Sequence, residues 1–148
     1  RMQDQQLCSA DIIATMSADA LRLVGLSHRK AEYLIGIARE VTSGQLNFES
    51  MHQLSGDAVK ARLTQIRGVG AWTADNFRLF ALGDMDAWPV NDVALQEGMK
   101  RLKNLNERPN HEQMEKLGTR WKPYRGAGAL VLWHIYGVLV RRATIGNI

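Results

Sequence analysis

The strongest constraint on this chain is a spacing. Apolar residues return every three or four positions, and alternation never persists over four residues with β-branched enrichment. The clearest case follows Ser27, where Ala31, Leu34, Ile35, Ala38 and Val41 fall on one helical face before Thr42–Gly44 stops the run. Ser9 and Ser17 stand before two shorter runs of the same kind, and a serine oxygen there can take the free amides of a helix start. Further helices are expected near Glu49–Leu54, over Asp57–Gln65 with Val59, Leu63 and Ile66 aligned, and over Ala71–Leu82, ended by Gly83. Asn91 or Asp92 opens another to about Leu102, and Asn110 caps a short one. The last is expected from Pro123, a residue suited to a first turn, to about Val140. The fold class that follows is all-α: a compact bundle of short helices packed at angles.

At 148 residues the chain has room for one domain with a real core, and 1–148 is expected to be one. No apolar run approaches the roughly 20 residues of a membrane span. Cys8 is the only cysteine, so no disulfide framework and no cysteine-built zinc or iron–sulfur cage can form. His28, His52, His111 and His134 lack ligand spacing. The net charge of +4 gathers in short clusters, His28–Lys30, Lys100–Lys103, Arg120–Arg125 and Arg141–Arg142. Such clusters suit a polyanion and suit a solvated surface equally.

The stretch Ile66–Phe77, "IRGVGAWTADNF", is where chemistry enters. Gly68 and Gly70 can both take positive φ, and Val69 between them can point inward. The first amides of the helix that follows are unpaired within it, so the turn can hold an anion such as a phosphodiester. A plain helical hairpin closed by glycines has the same pattern. The spacing Leu63–Ile66–Gly68–Val69–Gly70–Thr73–Ala74 is that of a helix-hairpin-helix motif. Beyond it come "WPVNDVAL", with an aspartate at a helix start, and "RWKPYRGAGALVLWH"; upstream lies "GLSHRKAEYLIGIAREV".

Together these segments resemble the helix-hairpin-helix DNA glycosylase superfamily, nearest its DNA-3-methyladenine glycosylase II branch, over about Ser17–Tyr136. The resemblance implies base excision repair: alkylated purines such as 3-methyladenine cut from duplex DNA by hydrolysis of the N-glycosidic bond. It implies contacts to the DNA backbone at Arg67, Gly68, Val69, Gly70, Ala71 and Thr73. It also implies a monovalent cation, sodium or potassium, on the main-chain carbonyls of Thr64, Ile66 and Val69, with no cofactor required and no iron–sulfur cluster. A monomer inside the cell, in the nucleoid or nucleus, is expected, with no membrane partner.

Relatives that also cut the strand carry a lysine where this chain has Trp72. Indole cannot form a Schiff base, so no lyase activity is expected. Asp92 is the expected catalytic acid, since a fixed carboxylate stabilises positive charge at the anomeric carbon and can orient the attacking water. Aspartate is also a common N-cap, and both roles can hold together. Asp84 and Asp86 read as turn residues, and Asn91 has no assigned role. Trp133 matches the tryptophan that stacks on a flipped base, and a cationic alkylpurine attracts an indole face. Small Gly126, Ala129 and Gly137 beside it are expected to leave a slot, with Ala127, Leu130, Val131, His134, Ile135 and Val138 as the core stripe. Tyr124 and Trp88 are candidates for the same base pocket, with core packing an equal reading; Trp121 reads as core.

One departure stands out. The family carries an upstream segment with a "QQ" loop that wedges into the minor groove, and "DQQLC" at Asp4–Cys8 is too close to "GLS" to be that loop. The expectation is a domain without the family's N-terminal segment. A non-catalytic helix-hairpin-helix DNA-binding fragment is the alternative function, and a helical protein-interaction domain is a third.

Overall fold

The computed structural model describes residues 9–145, with side chains described through residue 139. Asp4–Cys8, weighed above as a wedge loop, lie outside the described residues. Among the described residues there are eight α-helices and no strand, as expected for an all-α chain. The chain divides after Gly70 into two compact units.

The first unit holds α1 (Ala10–Thr15), α2 (Ala18–Leu23), α3 (His28–Thr42), a 3₁₀ turn (Ser50–Gln53) and α4 (Gly56–Thr64). Each of the three serines caps its helix as the spacing predicts: Ser9, Ser17 and Ser27 accept from the amides of Ile12, Ala20 and Lys30. Both α1 and α2 lie against α3, with Leu21, Ala31 and Ile35 at the centre and Met16, Leu26 and Leu34 around them. Such short helices are marginal alone, and this shared apolar face is what holds them. The short helix expected near Glu49–Leu54 is the 3₁₀ turn Ser50–Gln53. On α4, Val59 and Leu63 are buried, and Ile66 is buried just beyond its end.

The second unit holds α5 (Ala71–Phe80), α6 (Val93–Leu102), α7 (His111–Gly118), a 3₁₀ turn (Thr119–Trp121) and α8 (Arg125–Ile145). Its core is Leu79, Ala87, Trp88, Val90, Leu95, Met99, Met114, Ala129 and Leu132. The long contact of the unit is α6 against α8. It is close because Gly98 has no side chain: a Cβ there would stand 2.5 Å from the carbonyl oxygen of Leu132. Asn110 starts α7 with a full capping box, its side chain accepting from Gln113 N while Gln113 answers to Asn110 N.

Two expectations about α8 are corrected. It begins at Arg125, not Pro123, and the Lys122–Pro123 peptide is cis. Its core stripe is also turned in part, although Ile135 packs against the core as expected. Leu130 and Val131 are exposed, as is His134, while Ala129 and Leu132 are fully buried. Gly126 lies against Leu79 and Met85, so Gly126 and Ala129 face the core rather than a vacant slot. Packing against α6 at Gly98 selects this face, and spacing within one helix cannot.

Candidate active site

The glycine turn belongs to the first unit. Gly68 has φ +93°, a conformation that favours glycine, and Val69 N donates to Ile66 O at 3.0 Å to close the turn. A Cβ on Gly68 would overlap the ring of Tyr33 on α3. The Arg67 guanidinium stands 5.9 Å from the centre of that same ring, a cation–π contact that leaves the Arg67 residue exposed. Tyr33 is therefore part of the turn's support, and no local pattern marks it. Gly70 does not take positive φ, against the expectation for both glycines. A Cβ on Gly70 would meet nothing within 4 Å. Val69 is half-buried, as expected of an inward residue.

The second unit assembles the chemistry. Asp92 is the N-cap of α6, its Oδ1 accepting from Leu95 N at 2.9 Å. The same oxygen accepts from Trp133 Nε1 at 3.1 Å, and Oδ2 accepts from Trp72 Nε1 at 2.7 Å. Three residues far apart in sequence thus meet at one carboxylate. Trp72 comes from the first turn of α5, Asp92 from the start of α6 and Trp133 from the middle of α8. The segment before Asp92 is tied down as well: Asp92 N donates to Pro89 O at 2.9 Å and Gln96 Nε2 to Val90 O at 2.9 Å. Asn91 gains a partner, its Oδ1 lying 3.0 Å from Nδ1 of His111.

Exposure separates the two indoles. Trp72 is 51% exposed, whereas Trp133 is half-buried and packs on the core. Phe80, at the end of α5, is 64% exposed and stacks on Trp133 with ring centres 5.7 Å apart and planes 24° apart. Sequence reasoning missed Phe80. Its signal was available, because Trp72, Asn76 and Phe80 recur every four residues along one face of α5.

Two other expected pocket residues are elsewhere. Trp88 is 3% exposed, with its Nε1 donating to Met114 O and its ring meeting Trp121 edge-on. It is core, packed against Met114 and Gly118 of α7, and Trp121 packs partly buried against the same core. Tyr124 is 64% exposed and lines a groove with Leu102, Trp121 and Val131. The side-chain partners of Asp92 are Trp72, Trp133 and the Leu95 amide, and neither Trp88 nor Tyr124 is among them.

The acids read as turn residues are ion-paired too. Asp84 takes Nε of Arg78 at 2.9 Å, and Asp86 takes Nε and Nη2 of Arg125 at 2.8 and 2.7 Å. The Arg125 side chain, hydrogen-bonding to Asp86, holds that carboxyl below its ordinary value against the opposing effect of burial.

A family model described as HhH-GPD superfamily base excision DNA repair protein matches residues 3–123. The chain belongs to that family. It is 31% identical over 123 residues to a DNA-3-methyladenine glycosylase of Bacillus subtilis, covering 83% of this chain and 41% of that one. Among solved structures, it is similar to the 3-methyladenine DNA glycosylase of Schizosaccharomyces pombe in complex with abasic DNA. That match has a TM-score of 0.80 at 32% identity, over 84% of this chain and 61% of the other. It is also similar to a DNA-3-methyladenine glycosidase of Bacillus halodurans, with TM-score 0.79 at 34% identity, over 90% and 61%. The chain spans about half the length of the curated relatives it matches.

Proposed function

We propose that this chain carries the catalytic centre of a monofunctional DNA glycosylase that hydrolyses alkylated purines, such as 3-methyladenine, from duplex DNA. The observation that supports this most is the meeting of both indoles on the Asp92 carboxylate. The names of the relatives point the same way. Trp72, half exposed, and Trp133, with Phe80 stacked on it, offer aromatic faces beside a fixed negative charge. A flipped cationic purine matches that surface by stacking and cation–π attraction. As the N-glycosidic bond breaks, its electrons return to the base, which leaves neutral. Positive charge then grows at C1′ of the sugar, and Asp92 opposes it. Water oxygen bonds to C1′, and its proton passes to the Asp92 carboxylate. Nothing at Trp72 can form a Schiff base, so the strand stays intact.

Arg67, Gly68, Val69, Gly70, Ala71 and Thr73 serve as the backbone-binding segment in this reading. The open space beside Gly70 supports it, since nothing in the protein itself requires glycine there. The carbonyls of Thr64, Ile66 and Val69 would hold a sodium or potassium ion. Neutral oxygens suit such an ion, and Thr64 ends α4, where carbonyls lack helical partners. The ion would offer positive charge to a phosphate. The protein acts as a monomer in this reading.

The test is base release from alkylated duplex DNA by wild type and Asp92→Asn, with and without alkali. Wild-type release with breaks only after alkali, and a loss of about 10²- to 10⁴-fold in Asp92→Asn, is the expected result. Binding with no release from either assigns the non-catalytic DNA-binding alternative instead.

A further inference from the structure

Two arginines bracket the turn between α5 and α6. Arg78 is buried on α5, and its guanidinium reaches Asp75 at 3.1 Å and Asp84 at 2.8 Å. Asp84 N returns a bond to Arg78 O at 2.9 Å, and Asp84 Oδ1 accepts from Asp86 N at 2.9 Å. The turn is thereby locked to the end of α5. On its other side, Asp86 receives the backbone N–H, Nε and Nη2 of Arg125, at 3.2, 2.8 and 2.7 Å. Gly126 N donates to Met85 O at 2.6 Å beside them. The first residues of α8 are thus clasped to the same turn.

We propose that the Arg78–Asp84 and Asp86–Arg125 pairs form a brace that sets the distance between Trp72 on α5 and Trp133 on α8, and so the grip of both indoles on Asp92. Arg78, Asp84, Asp86 and Arg125 are positioning residues, and this rests on the glycosylase reading above only for its kinetic consequence.

The lever arm makes the effect large. Trp133 lies eight residues beyond Arg125, or about 12 Å along the helix. A tilt of about 5° at Arg125 moves the indole by about 1 Å. Misplacement of that size can cost about 10²-fold in rate. Trp72 sits six residues before Arg78 on α5, so the other end of the brace acts on it in the same way. Ion pairs that are largely out of water contribute little net stability, because desolvation offsets attraction. Their paired geometry is the property left to explain. The bidentate fork of Arg125 on Asp86 fixes an angle as well as a distance, which a point charge does not.

The experiment has one readout independent of activity. Indole N–H resonances of Trp72 and Trp133, assigned with Trp→Phe variants, are recorded in wild type, Asp86→Asn, Arg125→Lys and Arg125→Ala. Single-turnover base release and affinity for abasic duplex DNA are measured on the same proteins. In Asp86→Asn both site indoles should shift while Trp88, bonded within the core, stays in place. Release should slow by about 10- to 100-fold with affinity changed less than about threefold. Arg125→Lys should recover part of what Arg125→Ala loses. If Asp86→Asn does not fold, Arg125→Lys carries the same readouts. Unmoved Trp72 and Trp133 resonances in a folded variant overturn the brace, whatever the rate. A wild type that releases no base defeats the glycosylase reading, and the resonances still decide the brace.

Discussion

The glycine turn and the Asp92 site were both anticipated, but they are built in opposite ways. The turn is local: Ile66, Gly68 and Val69 make its hydrogen bond and its positive φ within four residues. The Asp92 site is assembled from residues 20 and 41 positions away, on three helices. A turn of the first kind is written in its own spacing. A site of the second kind exists only when α5, α6 and α8 pack as they do. Yet each holds an exception. Gly68 needs the ring of distant Tyr33 to explain why no larger residue fits, and Asp92 is fixed in part by its own helix through Leu95 N.

After Asp92→Asn, the largest effect that sharpens this contrast is expected at Trp133. Trp133→Ala removes a donor to Asp92 and the stacking partner of Phe80. It should weaken transition-state binding by about 1–3 kcal/mol, the usual worth of an aromatic under a base. Trp133→Phe should keep part of the stacking and lose the hydrogen bond. Single-turnover rates decide it, and equal rates for wild type and Trp133→Ala would break the claim that this site depends on remote packing.

Next comes the turn. Gly68→Ala should destabilise the protein by about 1–3 kcal/mol, through its positive φ and the crowding of Tyr33. Gly70→Ala should cost less than about 1 kcal/mol and still weaken binding to duplex DNA. Urea midpoints beside salt-dependent binding curves separate the two glycines. Equal destabilisation by both would erase the distinction between a glycine kept for the fold and one kept for a ligand.

The smallest effect is a pH dependence. Asp86 is held below its ordinary value of 3.8, mainly by its side-chain hydrogen bonds with Arg125, then by the Arg125 backbone N–H and the charges of Arg125 and Lys122, against burial. Glu115, 3.5 Å from the same guanidinium, and Asp84 are the other acids nearby. A carboxylate with a depressed value contributes stability that is complete above the unfolded value and is lost as pH falls through the folded one. The stability gap between wild type and Asp86→Asn should therefore stay constant from neutral pH to about 5 and close below about 4. A gap that instead widens on acidification would contradict the pairing.

Much of the fold was legible because helix starts are local chemistry. Ser9, Ser17, Ser27, Asp92 and Asn110 each cap the helix that their sequence position marks. Phe80 was missed although it repeats with Trp72, because one helix face does not say which other helix it will meet. The same reason misassigned α8, whose hydrophobic residues run nearly all round. With apolar side chains on both faces, only packing against other helices, at Gly98 of α6 and on Leu79 of α5, decides that Ala129 and Leu132 turn inward and that Leu130 and Val131 stay out.

Trp88 and Tyr124 show the limit from the other side. Both are aromatic and both lie in the segments that carry the family likeness, yet one is sealed in the core against Met114 and the other stands in solvent. Residue type and spacing alone determined the helical class, the caps and the glycine turn, since each depends on hydrogen bonds and periodicity within a few residues. The candidacy of Asp92 came from the family resemblance, and its spacing alone marked only an N-cap. Tertiary structure alone decided that Trp72 and Trp133 share one carboxylate and that Asp86 and Arg125 clasp across 39 positions. Those contacts arise from the packing of helices that are distant in the chain, and no short-range pattern encodes that packing.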